Sequence, residues 1–120
     1  MAFDQFIADR IRRTLKNKMK SFQEKRMMGG LCFMVNDKMC FGLDTDKSNN
    51  TPRLMCRVGP INYEKALENN FASEMDFTGK PMKGYVFVSS EGFESEKDLD
   101  FWIQLCLDFN PLAKSSKRNK

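Results

Sequence analysis

The 120-residue chain contains no histidine. That absence removes the Ser-His-Asp triad, the Cys-His pair, imidazole proton shuttles and every histidine-containing zinc site. Four cysteines are present, but no two form a C-x-x-C pair, and Cys32, Cys40 and Cys56 fall in apolar, strand-like stretches instead of the knuckle turns that zinc sites use. No apolar run approaches the roughly 18 to 20 residues needed to span a bilayer. The opening "MAFDQFIADRIRRTLK" interrupts its apolar residues with Asp4 and Asp9 and so lacks the apolar centre of a signal peptide. The expectation is a cytoplasmic protein without membrane association. Gly29-Gly30 precedes a strand, and "TGKP" lacks the upstream glycine and spacing of a Walker motif, so both read as turns and not as phosphate loops. Glu94, Glu96, Asp98 and Asp100 collect at the start of the last helix, where they complement its dipole, with no EF-hand spacing among them. The chain is therefore read as non-enzymatic, with no catalytic group, metal or cofactor expected.

What is there fits one domain over residues 1–113, followed by a basic flexible tail at 114–120. Phe3, Ile7, Ile11 and Leu15 recur at helical spacing behind an Asp4 cap. "SFQEKRMMGG" then leads into the hairpin "LCFMVNDKMCFGL", whose turn is Asn36-Asp37-Lys38. Leu31, Phe33 and Val35 share one face of its first strand and Cys32 and Met34 the other. "RLMCRVG" is a third strand, with Leu54, Cys56 and Val58 on one face and Met55 and Arg57 on the other. "NYEKALENN" predicts a short helix capped by Asn62. Strands follow around Glu74 to Phe77 and at Gly84 to Ser89, with a turn at 78–81. Ser95, with Asp98 three residues on, opens a last helix that runs to Phe109, because Pro111 disfavours helical geometry at Asn110.

"MMGGLCFMVNDKMCFG" concentrates thiols and thioethers, which raises the question of a reactive site. A nucleophilic thiol needs a neighbouring cation or a helix N-terminus to lower its pKa. Arg57 follows Cys56, yet strand alternation turns it to the opposite face. Free cysteine and methionine are common core-filling residues, and the run reads as core packing.

Charge is distributed unevenly. Residues 1–26 carry eight basic and three acidic side chains, residues 27–113 eight and thirteen, and the tail four basic and none acidic. Arg10, Arg12, Arg13 and Lys16, with Lys117 and Arg118 of the tail, are the candidate nucleic-acid contacts, limited to weak phosphate attraction because no aromatic residue interleaves with them. On the last helix the apolar residues from Leu99 to Phe109 spread over roughly 240° at about 100° per residue. A sheet-covering helix needs a stripe only somewhat wider than about 100°. Phe101, Trp102, Leu105 and Phe109 are accordingly the candidate partner interface, for an unidentified protein or for a homodimer.

Several strings are informative together: "DRIRRTL", "KRMMGGLCFMVNDKMCFG", "LMCRVGP", "YEKAL", "MDFTGKPMKGYVFV" and "DLDFWIQLCLDF". In this order they resemble the N-terminal domain of the TfoX/Sxy family, bacterial proteins linked to control of natural DNA-transformation competence. The resemblance runs from about Phe3 to Phe109. It implies a secretion-chaperone-like α+β fold, a two-layer antiparallel sheet with helices in the order α-β-β-β-α-β-β-α. It brings no catalytic residues. Family members that regulate competence carry a second, C-terminal domain, and the expectation here is an N-terminal domain standing alone as a small regulatory or protein-interaction module.

Overall fold

The computed structural model describes residues 3–27, 29–75 and 82–113. Helix α1 (Gln5–Asn17) starts where expected: the Asp4 carboxylate accepts from the N–H groups of Phe6 at 2.9 Å and Ile7 at 3.2 Å, satisfying two donors that a helix start leaves open. There follow β1 (Gln23–Met27), β2 (Gly30–Val35), β3 (Lys38–Asp46), β4 (Thr51–Arg57), α2 (Pro60–Leu67), β5 (Ala72–Glu74), β6 (Tyr85–Ser89), a 3-10 turn (Ser90–Phe93) and α3 (Glu96–Phe109). The strands form one antiparallel sheet in the order β1-β2-β3-β4-β6-β5. Because β6 runs antiparallel to both β4 and β5, the latter two are parallel, and α2 crosses between them. The fold is the expected α+β arrangement, with one strand more than the sequence signalled. That strand is β1. Its residues "QEKRM" are all exposed, so no alternation of apolar side chains marks it, and its hydrogen bonds to β2 create it.

Asn36 and Asp37 make the β2–β3 turn with φ of 57° and 63°. This left-handed pair matches the twist of a hairpin and suits Asn and Asp. Register then assembles the core. Leu31 lies opposite Leu43 and Phe33 opposite Phe41, while β4 sets Cys56 against Phe41 and Val86, and Leu54 against Leu43 and Val88. Ile7, Ile11 and Leu15 of α1, Tyr63 and Ala66 of α2, and Leu99, Trp102, Ile103 and Cys106 of α3 complete one continuous core on this side. A bulge between Phe33 and Met34 leaves Cys40 as the additional residue of β3, and both Cys40 and Phe41 are buried in that core.

Two boundaries differ from expectation. Helix α2 begins at Pro60, not after Asn62: proline at the first helical position has its φ set and loses no hydrogen bond there. Strand β5 occupies Ala72–Glu74, earlier than the expected Glu74 to Phe77. The turn expected at 78–81, residues 76 and 77 of the expected strand and the basic tail at 114–120 lie outside the described residues. Helix α3 matches its reading, with Ser95 Oγ accepting from the N–H of Asp98 at 3.0 Å and the helix ending at Phe109.

Candidate interaction surface

Two of the four basic residues of α1, Arg10 and Arg12, are taken up within the molecule. Arg10 is buried. Its Nε donates to Glu96 Oε2 at 3.1 Å and its Nη2 to the carbonyls of Phe93 at 3.2 Å and Glu94 at 3.0 Å. Arg12 makes a two-pronged contact to Glu24 at 2.6 and 2.8 Å and a third bond to Asp9 at 2.7 Å, and these partners, Glu24 foremost, hold its guanidinium protonated more firmly than usual. Lys18 reaches Asp100 and Gln104, both at 2.7 Å. The acids at the start of α3 therefore do more than complement its dipole: Glu96 and Asp100 hold α1 alongside. The shallow cleft between the two helices, about 500 Å³, is lined by Thr14, Asn17, Lys18, Glu96, Lys97 and Asp100, a mixture of both charges that favours no ion. Of the proposed phosphate contacts, Arg13 and Lys16 are exposed, and Lys117 and Arg118 lie outside the described residues.

All four thiols are free and buried. Burial pushes the Cys32 thiol up, with only a partial counter-effect from Lys25, and raises Cys40 and Cys106 further; Cys56 beside Cys106 adds to the latter. Thiolate chemistry is thus disfavoured at these three sites. Among the described residues no group of three or more potential ligands is placed to hold a metal ion.

The sheet face away from the core carries Lys25, Cys32, Met34, Asp44, Arg53, Met55, Arg57, Tyr85 and Phe87, as the strand register dictates. None of the described helices contributes a core residue to it, yet Cys32, Met34 and Phe87 are buried. Among the described residues, side chains pack across one another on this face. The Arg53 guanidinium stacks 3.7 Å from the Phe87 ring centre while bonding both oxygens of Asp44 at 3.0 and 3.1 Å. Arg57 lies 5.5 Å from the Tyr85 ring and 5.9 Å from that of Phe109. Cys32 Sγ and Met34 Sδ are 3.7 Å apart. Among the described residues, thioethers and guanidinium stems lie against one another on this face. The sequence signal for this arrangement was the alternation that set Met55 and Arg57 opposite Leu54 and Cys56; the stacking partners from β6 were not visible in it.

The four candidate interface residues of α3 separate. Trp102 is a core residue, 1% exposed, and its indole N–H donates to the carbonyl of Gly92 at 3.1 Å. Phe101 is 52% exposed and meets Trp102 edge-on, 5.1 Å between ring centres. Leu105 is half-buried against the core, and half-buried Phe109 rests on Gly59, where an added Cβ would come within 2.4 Å of the ring. Phe101, Leu105 and Phe109 stand at i, i+4 and i+8, one stripe on the outside of α3.

No curated protein and no solved structure matches the chain. A family model, that of the TfoX N-terminal domain, matches residues 14–110, a span from the last turns of α1 to the end of α3. That span takes in every strand of the sheet, the left-handed Asn36-Asp37 turn and the Gly59–Phe109 contact. The chain belongs to the TfoX N-terminal domain family.

Proposed function

We propose that this chain is a non-enzymatic protein-interaction module of the cytoplasm, serving regulation of competence or transcription by docking a protein on the outside of α3. The observation that carries this reading is Phe101: a large aromatic, 52% exposed, held in place on a helix whose inner face is fully packed. Exposed, pre-positioned aromatics are the typical centres of protein interfaces. The cations favouring nucleic acid are reduced to Arg13 and Lys16 among the described candidates, since Arg10 and Arg12 have internal partners. The test is a pull-down from native cells, with and without nuclease, using the wild-type chain and Phe101→Glu. A captured protein that survives nuclease and is lost with the variant supports the reading. Capture that vanishes with nuclease overturns it in favour of weak phosphate-backbone binding through Arg13, Lys16, Lys117 and Arg118.

A further inference from the structure

We infer that the open edge of β1 takes up an extended, acidic segment of a protein partner as an added strand of the sheet. β1 ends the sheet, pairs with β2 over its five residues, and all five are exposed. Backbone groups of an antiparallel edge strand alternate between the neighbour and the outside, so every second residue of β1 presents its N–H and C=O outward. Proline, a bulge or a covering element are the usual means of closing such an edge. β1 has no proline, its register to β2 is unbroken, and no described strand lies beyond it. What remains at the edge is charge, and charge selects by sign.

Cross-strand register gives that charge its position. Glu24 and Arg26 lie opposite Phe33 and Leu31 and so share the face on which α1 packs, whereas Lys25 lies opposite Cys32 on the far face. Helix α1 stands between two neighbours, with Arg10 turned to Glu96 of α3 and Arg12 to Glu24 of β1. Lys16, one turn on from Arg12, continues the flank beside β1. Arg12 engages the two carboxylates there, Glu24 and Asp9. Among the described residues Lys16, Lys25 and Arg26 form no ion pair, and Arg26 is held 5.4 Å from the Phe3 ring. Four cations thus stand beside two carboxylates, and cations without an acid lie on both faces of the edge. Side chains of an added strand alternate between those faces, so an acidic residue of either parity meets one.

The same charges disfavour a second copy. Antiparallel pairing of β1 with itself about Glu24, Lys25 or Arg26 sets that residue directly opposite its own copy, like charge on like. The Glu24–Arg26 pairs gained in the register centred on Lys25 compete with Arg12, which already holds Glu24 at 2.6 and 2.8 Å. A nucleic-acid strand would use the cations and not the outward peptide groups; a polypeptide strand uses both.

Selection from a random displayed-peptide library on the immobilised full chain tests this, followed by amide hydrogen exchange with a synthetic copy of one selected peptide. Selected sequences should alternate Asp or Glu with Val, Ile or Thr, and the synthetic peptide should slow exchange at alternate amides from Gln23 to Met27. Lys25→Glu combined with Arg26→Glu should weaken that peptide by about tenfold or more and shift a fresh selection to basic sequences. Lys25→Glu alone, on an exposed side chain, should weaken it severalfold, which keeps the test decisive if circular dichroism shows the double variant unfolded. No consensus, or a neutral or basic one, overturns the inference. So does protection without alternation in β1, or binding indifferent to Lys25→Glu. A single-stranded oligonucleotide that slows exchange in β1 where no peptide does assigns the edge cations to phosphate and likewise overturns it. Failure at the edge with Phe101-dependent, nuclease-resistant capture intact refutes the added strand alone and leaves the α3 reading standing.

Discussion

Arg10 offers the clearest separation of structural from surface cations on α1. Replacing it with alanine leaves the Phe93 carbonyl without its buried donor, which costs about 1–3 kcal/mol, and removes a charged hydrogen bond to the Glu94 carbonyl of about 1.5 kcal/mol. The ion pair with Glu96 adds at most about 1 kcal/mol, because that carboxylate is 70% exposed. The sum is about 3–5 kcal/mol. At roughly 3–5 °C per kcal/mol for a domain of this size, the melting temperature should fall by about 10–25 °C. Arg10→Lys keeps the charge but not the fork that reaches two carbonyls and a carboxylate, so it should recover less than half of the loss. Arg13→Ala, on an exposed side chain, should stay within about 0.5 kcal/mol of wild type. Urea and thermal unfolding of the three variants decide the matter. If Arg10→Ala lies within about 1 kcal/mol of Arg13→Ala, the clamp between α1 and the start of α3 contributes nothing and the reasoning fails.

Gly59→Ala should destabilise by at least about 3 kcal/mol, since the backbone sits at φ +87° and the new methyl would enter the Phe109 ring; a melting temperature unchanged by the substitution would refute this contact. The folded chain should label slowly with a thiol reagent and reveal all four cysteines only on unfolding, as mass spectrometry of quenched samples would report; fast stoichiometric labelling of Cys32, Cys40 or Cys56 contradicts it. Because the Cys40 and Cys106 thiols are raised by burial, the folded state keeps their protons after the unfolded chain, at about 8.5, has lost them. Their contribution is thus fully present below about pH 8.5, and stability should fall above it by about 1.4 kcal/mol per pH unit per thiol, a decline that Cys→Ala or Cys→Ser variants at these positions should flatten. Any binding to nucleic acid should follow a shallow salt dependence, a log–log slope of about −3 to −4 for contacts from Arg13, Lys16, Lys117 and Arg118; a steeper slope or sequence selectivity at high salt would contradict the internal pairing of Arg10 and Arg12.

Sequence alone determined the elements whose signals are local. Asp4 and Ser95 cap their helices because a carboxylate or hydroxyl bonds the nearest free N–H groups, and Asn36-Asp37 turns because those residues tolerate the left-handed region. Alternation of apolar residues placed Leu31, Phe33, Leu54 and Cys56 on the covered face, and the strings quoted above identified the family. Tertiary structure decided what depends on neighbours far along the chain. Strand β1 exists because β2 offers it hydrogen bonds, not because "QEKRM" has a face to bury. Arg10 and Arg13 are both arginines on one helix, yet one is buried among carbonyls 83 and 84 residues away and the other meets solvent. Trp102 and Phe101 are adjacent aromatics, and a rotation of about 100° along the helix puts the first in the core and leaves the second outside. Periodicity shows that a helix has a wide apolar arc; only the packing of α1, α2 and the sheet around α3 fixes how much of that arc is covered, because coverage is a property of the neighbours and not of the helix itself.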